Sequence, residues 1–142
     1  MKIEFHPIGI IHTPYEETAP FRPDPEADGD FSISIREEYR DALYRLDEFT
    51  HIIVLFYFDR SLKTNLFAHP PRLGGEKTGL FASRSPNRIN KIGLDIVRIN
   101  GIEDLLIRTS PMDILNNTPL LDIKPYIPDL DCHPSATKGH TP

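Results

Sequence analysis

The chain has 142 residues, 39% hydrophobic and 26% charged, with 16 basic against 21 acidic side chains and a formal charge of −5. That size predicts one globular domain, no apolar run reaches the ~18 residues of a membrane span, and the acidic balance argues against broad, non-specific attraction to nucleic acid. Cys132 is the single cysteine, so an internal disulfide is excluded; with no apolar signal core in the opening MKIEFHPIG, the expected compartment is the cytoplasm.

Phe5–Thr13 is predicted as a first strand, interrupted by Pro7 and therefore on an edge or bulged. A polar, proline-rich connection runs from Pro14 to Gly29 and is long enough to suggest a function. Phe31–Ile35 (FSISI) alternates as a half-buried strand does. Arg36–Phe49 is predicted as a helix, because Tyr39, Ala42, Leu43, Leu46 and Phe49 fall at three-or-four spacing and form one stripe to lay on a sheet. Ile52–Phe58 (IIVLFYF) is apolar without a break and predicts a strand buried on both faces, ending at the charge pair Asp59-Arg60. Ser61–Gly79 is expected as a long loop, punctuated by Pro70-Pro71 and Gly74-Gly75. Gly79–Ser83, Ile92–Ile99, Leu105–Thr109 and Leu120–Lys124 complete the strands. The predicted fold is mainly β, a small closed or partly closed barrel with one flanking helix, over residues 1–128. Asp129–Pro142 has little apolar content and is expected to be a flexible C-terminal tail. No strand–GxGxxG–helix unit occurs, which excludes an ordinary dinucleotide-binding fold.

The densest chemistry lies in Leu80–Asp95, LFASRSPNRINKIGLD. Arg72, Lys77, Arg84, Arg88 and Lys91 fall within 20 residues, with Glu76 the only acid among them. Arginine's planar donor fork suits a carboxylate or phosphate, so Arg84 and Arg88 either clamp an anion or stand as two exposed side chains on a hairpin. A second polar group, Asp113, Asn116, Asn117 and Thr118, either makes a turn through local backbone bonds or offers acceptors to a ligand. None of the six histidines pairs at i, i+4 with an acid on a helix, so no metal site is predicted. His51 opens the apolar strand and either faces a pocket or bonds locally. A Ser83, His51, Asp59 triad lacks any nucleophile-elbow pattern and is set aside.

These segments, in order, resemble the TsaA-like family, which includes the TrmO-type methyltransferases of tRNA. The resemblance rests on IGIIHTPY (Ile8–Tyr15), Ala19-Pro20, FTHIIVLFYFDR (Phe49–Arg60), FASRSP (Phe81–Pro86), IGLDIVRI (Ile92–Ile99) and TPLLDIKPYIP (Thr118–Pro128). It implies a small β-barrel that binds S-adenosyl-L-methionine, commonly across a homodimer interface. It also implies methylation of the exocyclic nitrogen of threonylcarbamoyladenosine beside the tRNA anticodon. By the same resemblance Pro20, Phe21, Arg22, His51, Ile52, Arg84, Leu94, Asp113, Asn116, Asn117 and Thr118 are the expected cofactor contacts. Asp59 and Arg60 would order the pocket wall, Arg88 and Lys91 would meet tRNA phosphate, and Asp113 or His51 would be the base. The chain departs from the family pattern within these loops: Ile89 and Lys91 stand where prolines are usual, NNTP replaces DGTP, and Arg22 replaces a glutamine. The further C-terminal domain of some TrmO proteins is expected to be missing. The altered loops keep two other readings open, a same-fold methyltransferase of a small molecule and a non-catalytic S-adenosylmethionine-binding module.

Overall fold

The structure is a computed structural model and describes residues 1–139. Strand β3 (His51–Tyr57) buries Ile52, Val54 and Phe56, while Ile53 and Leu55 are half-buried and Tyr57 is exposed. This corrects the expectation of burial on both faces: the unbroken apolar run lines the barrel with one side and leaves the other side uncovered. β3 pairs antiparallel with β6 (Ile92–Glu103) on one flank and β8 (Thr118–Pro125) on the other. β7 (Leu106–Thr109), β2 (Ser32–Ile35) and β1 (Gly9–His12) complete the ring in the order β1-β2-β7-β6-β3-β8, a closed barrel. Closure removes the open sheet edges that would otherwise invite pairing with other chains.

Every strand of the barrel sends at least one fully buried side chain inward: Ile11, Ile33, Ile52, Val54, Val97, Ile107 and Leu120, joined by Met112 from the segment after β7. Each is worth roughly 1.5–3 kcal/mol relative to exposure, so the barrel interior is the dominant source of stability. Gly93 sits opposite Phe56 in the β3–β6 register. A Cβ there would run into the Phe56 ring and lie 2.8 Å from Phe58, two rings that meet edge-to-face at 5.1 Å.

The predicted helix Arg36–Phe49 is corrected. Two 3-10 turns, Glu37–Leu43 and Leu46–Glu48, replace it, and Arg45 between them has a left-handed backbone at φ 69°. In 3-10 geometry residues three apart eclipse, which fits the ion pairs Arg40–Glu37 (2.7 Å) and Arg45–Glu48 (2.9 Å). Tyr39, Leu43 and Leu46 still pack against the core, so the stripe covers the barrel as expected but with a different period. Gly79–Ser83 is likewise not a strand. β4 (Phe67–Ala68) pairs with β5 (Thr78–Gly79), and Leu80–Ala82 forms a 3-10 turn. The expected loop Ser61–Gly79 is thus a hairpin, with a further helical turn at Pro71–Leu73. The first strand shortens to Gly9–His12 and β6 runs on past Ile99 through a bulge.

A short helix, α1 (Pro128–Asp131), begins the segment expected to be a tail, and Arg72 Nη1 donates to Lys138 O at 2.9 Å. The last positions of that expectation, 140–142, lie outside the described residues. Among the described residues no helix is long and apolar enough to cross a membrane.

Candidate functional site

Past Thr109 the chain leaves β7 but stays beside β6: Ser110 N–H donates to Arg98 O and Arg98 N–H donates to Ser110 Oγ, both at 3.0 Å. Met112 and Ile114 are buried in the core, and Asp113 between them is half-buried. Asp113 thereby comes within electrostatic reach of Asp95 on β6. Asp95 lies in phase with buried Gly93 and Val97, across the strand from exposed Leu94 and Ile96, and so faces the interior. One of its oxygens, Oδ1, accepts from Ile96 N–H at 2.8 Å. The other, Oδ2, is buried without a hydrogen-bond partner among the described residues. Arg84, exposed on the loop after Leu80–Ala82, is the third charge of the group.

Burial and the neighbouring Asp113 charge raise the Asp95 carboxyl to about 7, against the Ile96 N–H and Arg84, which stabilise its charge. Burial also raises Asp113, opposed by a backbone N–H and Arg84. Two acids of raised pKa beside a guanidinium form the kind of site that binds amino or hydroxyl donors and exchanges protons near neutrality. Asp95 was not among the sequence candidates. Its signal was the two-residue phase set by Val97, masked because Leu94 and Ile96 favour the opposite phase.

The turn Asp113–Thr118 is pinned to the end of β1. Thr13 Oγ1 donates to Ile114 O at 2.6 Å and Thr13 N–H to Asn116 Oδ1 at 3.1 Å. Asn116 Nδ2 donates to Glu16 at 3.0 Å, while Asn117 N–H reaches Ile11 O at 2.9 Å. Asn117 adopts φ 66°, a left-handed conformation that asparagine accepts better than most residues. Thr118 Oγ1 donates to Leu115 O (2.6 Å) and accepts from Arg60 Nη2 (2.9 Å), and Arg60 also pairs with Asp59 at 3.2 Å. Arg60 therefore touches the turn, Asp59 reaches it only through Arg60, and the Asn116 and Thr118 side chains are engaged in building it.

The other candidates are dispersed. Arg88 Nη1 donates to Ser83 O at 2.8 Å and, at longer range, to Leu80 O and Ser85 O, bracing the Leu80–Ser85 turn. Lys91 Nζ donates to Lys63 O and ties this loop to the hairpin arm. His51 and Ile52 open β3 three and two residues before Val54, the partner of Asp95. His51 Nδ1 hydrogen-bonds Thr50 Oγ1 at 2.8 Å, and its ring meets Tyr126 at 6.2 Å; Ile52 is wholly buried in the core. Pro20, Phe21 and Arg22 are exposed in the long connection, with Arg22 stacked on Phe21 at 5.3 Å. A depression of about 510 Å³ lies at the other end of β6, lined by Arg40, Asp41, Leu43, Tyr44 and Asp104. Arg40 and Asp104 pair with each other there.

Residues 10–132 match the family of the tRNA-methyltransferase O N-terminal domain. A protein of Archaeoglobus fulgidus, an S-adenosyl-L-methionine-binding protein by name, is 37% identical over 89% of this chain and 91% of its own length. The tRNA (adenine(37)-N6)-methyltransferase of Escherichia coli is 31% identical over 96% of this chain, which spans 63% of that enzyme. The crystal structure of TrmO from Pseudomonas aeruginosa superposes with a TM-score of 0.78 at 30% identity, covering 98% of this chain and 61% of that one. The fold likeness and the family match agree, and the chain belongs to the TsaA/TrmO-like family through its N-terminal-type domain.

Proposed function

We propose that this chain binds S-adenosyl-L-methionine and methylates the exocyclic nitrogen of an adenine in tRNA, with threonylcarbamoyladenosine in the anticodon loop as the acceptor. The observation that carries the reading is the group Arg84, Asp95 and Asp113, brought together from three separate segments. Its donor set suits the cofactor. The unpartnered Asp95 Oδ2 matches an ammonium or amino group, and the exposed Arg84 fork matches a carboxylate. The bound cofactor supplies an activated methyl group on a sulfonium sulfur. The protein's part is to hold donor and acceptor in line and to take the proton that the nitrogen releases as its new bond to carbon forms. Asp113 is the base this geometry favours, because burial already raises its proton affinity; His51 lies farther along β3 and is tied to Thr50.

A homodimer belongs to the same reading. Ile92, Leu94 and Ile96 stand exposed along β6 opposite Tyr57, Leu55 and Ile53 of β3, an apolar stripe suited to burial against a second copy. Cofactor contacts from Leu94 and from Pro20–Arg22 would then be made at or across that interface. Arg88, which bonds the carbonyls of Ser83 and Ser85 on either side of Arg84, and Lys91 further along the same loop would carry tRNA phosphate, in a protein working in the cytoplasm.

A second reading has its own support. The archaeal relative that this chain nearly spans is named only for cofactor binding, and Ile89, Lys91 and Asn116 alter the loops nearest the site. A small-molecule methyltransferase or a binding module without turnover would fit those facts. Calorimetric titration with S-adenosylmethionine, followed by incubation with threonylcarbamoyladenosine-containing tRNA and nucleoside mass spectrometry, separates the readings. Binding with methylated nucleoside supports the first, binding without it supports the second, and no binding removes both.

A further inference from the structure

The charge of this chain is divided unevenly. Between Arg60 and Lys91 lie Arg60, Lys63, Arg72, Lys77, Arg84, Arg88 and Lys91, with Glu76 the only acid, in a protein whose net charge is −5. The β4–β5 hairpin rises from the middle of that stretch and exposes Phe67 by 57%; Phe81, in the turn after β5, is exposed by 83%, and Leu62 and Leu66, in the segment before β4, are exposed as well. The cross-strand partner of Phe67 is Gly79, and no atom lies within 4 Å of where a Gly79 Cβ would stand. β5 therefore sets no side chain against the ring at Gly79. Lys77 Nζ sits 4.0 Å from the ring centroid, which fixes an ammonium beside an aromatic face.

The arm is also held in place. Leu80 N–H donates to Leu66 O at 2.9 Å, Asn65 N–H to Asn87 O at 3.0 Å, and Arg72 Nη2 to Ala82 O at 2.8 Å. The bond from Lys91 to Lys63 O closes the same strut. Arg84 follows Gly79 by five residues, across the Leu80–Ala82 turn.

We propose that the β4–β5 hairpin is a stacking platform for single-stranded RNA, with the exposed Phe67 ring taking a base adjacent to the target nucleotide and Lys63 and Lys77 taking the flanking phosphates. The proposal rests on the reading that the substrate is tRNA and says which surface of the chain receives its loop. Aromatic faces set in a basic track are how proteins hold unpaired bases with little sequence preference. Charge decides the occupant. Cores of protein–protein interfaces are depleted in lysine, and a two-fold contact with a second copy would set this basic surface against itself.

The test uses the full chain and a fluorescently labelled anticodon stem-loop, with binding followed by anisotropy at several salt concentrations and dimerisation by sedimentation. Phe67→Ala removes the platform. Gly79→Val covers it without changing charge, and the extended backbone at Gly79 (φ −67°, ψ 152°) accepts valine. Each should weaken RNA binding by about tenfold with the salt dependence unchanged. Lys63→Ala with Lys77→Ala should instead flatten the salt dependence. All variants should keep wild-type affinity for S-adenosylmethionine. Wild-type RNA affinity in both Phe67→Ala and Gly79→Val would overturn the platform while leaving the tRNA reading intact. Loss of dimer in Phe67→Ala would make the patch an interface and equally overturn it. Failure of the wild-type chain to bind the stem-loop would defeat both the platform and the tRNA reading.

Discussion

Replacing Asp95 by Asn should abolish a loss of stability that the wild-type chain suffers as pH rises. The Asp95 carboxyl is raised from an ordinary 3.8 to about 7, chiefly by burial and then by the Asp113 charge. The unfolded chain releases this proton near pH 4 and the folded chain only near pH 7. Between these limits the folded state holds more protons, so stability falls with rising pH, and above the folded value the whole penalty is present. A gap of about 3 pH units corresponds to about 4 kcal/mol, which residual solvent contact reduces to about 2–4 kcal/mol. Asparagine keeps the shape of the protonated acid and cannot ionise. The two proteins should match below about pH 4, and at about pH 8 the variant should be the more stable by that amount, a gain of roughly 10 °C in melting temperature. Asp113 remains in the variant, raised by its own burial, so a shallower slope of the same sign should persist. Urea denaturation of both proteins across this pH range measures the difference directly. Parallel stability curves would refute the reasoning and return Asp95 to an ordinary surface carboxylate.

Arg84→Ala should weaken S-adenosylmethionine binding about tenfold or more by calorimetry, the worth of a charge-assisted hydrogen bond; unchanged affinity would leave Arg84 as a solvated surface charge. Leu94→Asp, on the uncovered side of β6, should convert a dimer to monomer in sedimentation without altering the melting of the barrel; an intact dimer would place the interface elsewhere. Gly93→Ala should cost about 1–3 kcal/mol by overpacking Phe56 and Phe58, and a loss under about 0.5 kcal/mol would show that the rings move aside freely. Asn117→Ala should lower stability by about 1 kcal/mol, whereas Asn117→Gly should leave it nearly unchanged, because φ is 66° there. Equal effects in denaturation would contradict a left-handed turn.

The barrel was legible in the sequence because short, alternating segments such as Phe31–Ile35 carry a period that few other structures satisfy. IIVLFYF misled for a physical reason. An outward row of Ile53, Leu55 and Tyr57 looks the same in sequence whether it is covered by the chain's own elements or left open. Arg36–Phe49 misled because three-or-four spacing fits α and 3-10 geometry alike, and the left-handed break falls on Arg45, where nothing but tertiary context demands it. Within the candidate site, Arg84 and Asp113 were readable from residue type and resemblance. The role of Arg60 at Thr118 was foreshadowed by its position at the mouth of β3. Asp95 was hidden, since an acid inside an apolar strand is assigned to solvent unless the neighbouring phase is known. Asn116 and Thr118 were ambiguous between turn-forming and ligand-binding roles, and their side chains turn out to hold the turn that carries Asp113.

The most direct test of the central claim is the nucleoside content of tRNA from cells lacking this gene and no paralogue, before and after restoring the wild-type chain or its Arg84→Ala variant. The account predicts that methylated threonylcarbamoyladenosine disappears on deletion, returns with the wild-type chain and stays diminished with the variant. Unchanged methylated nucleoside in the deletion strain would contradict it.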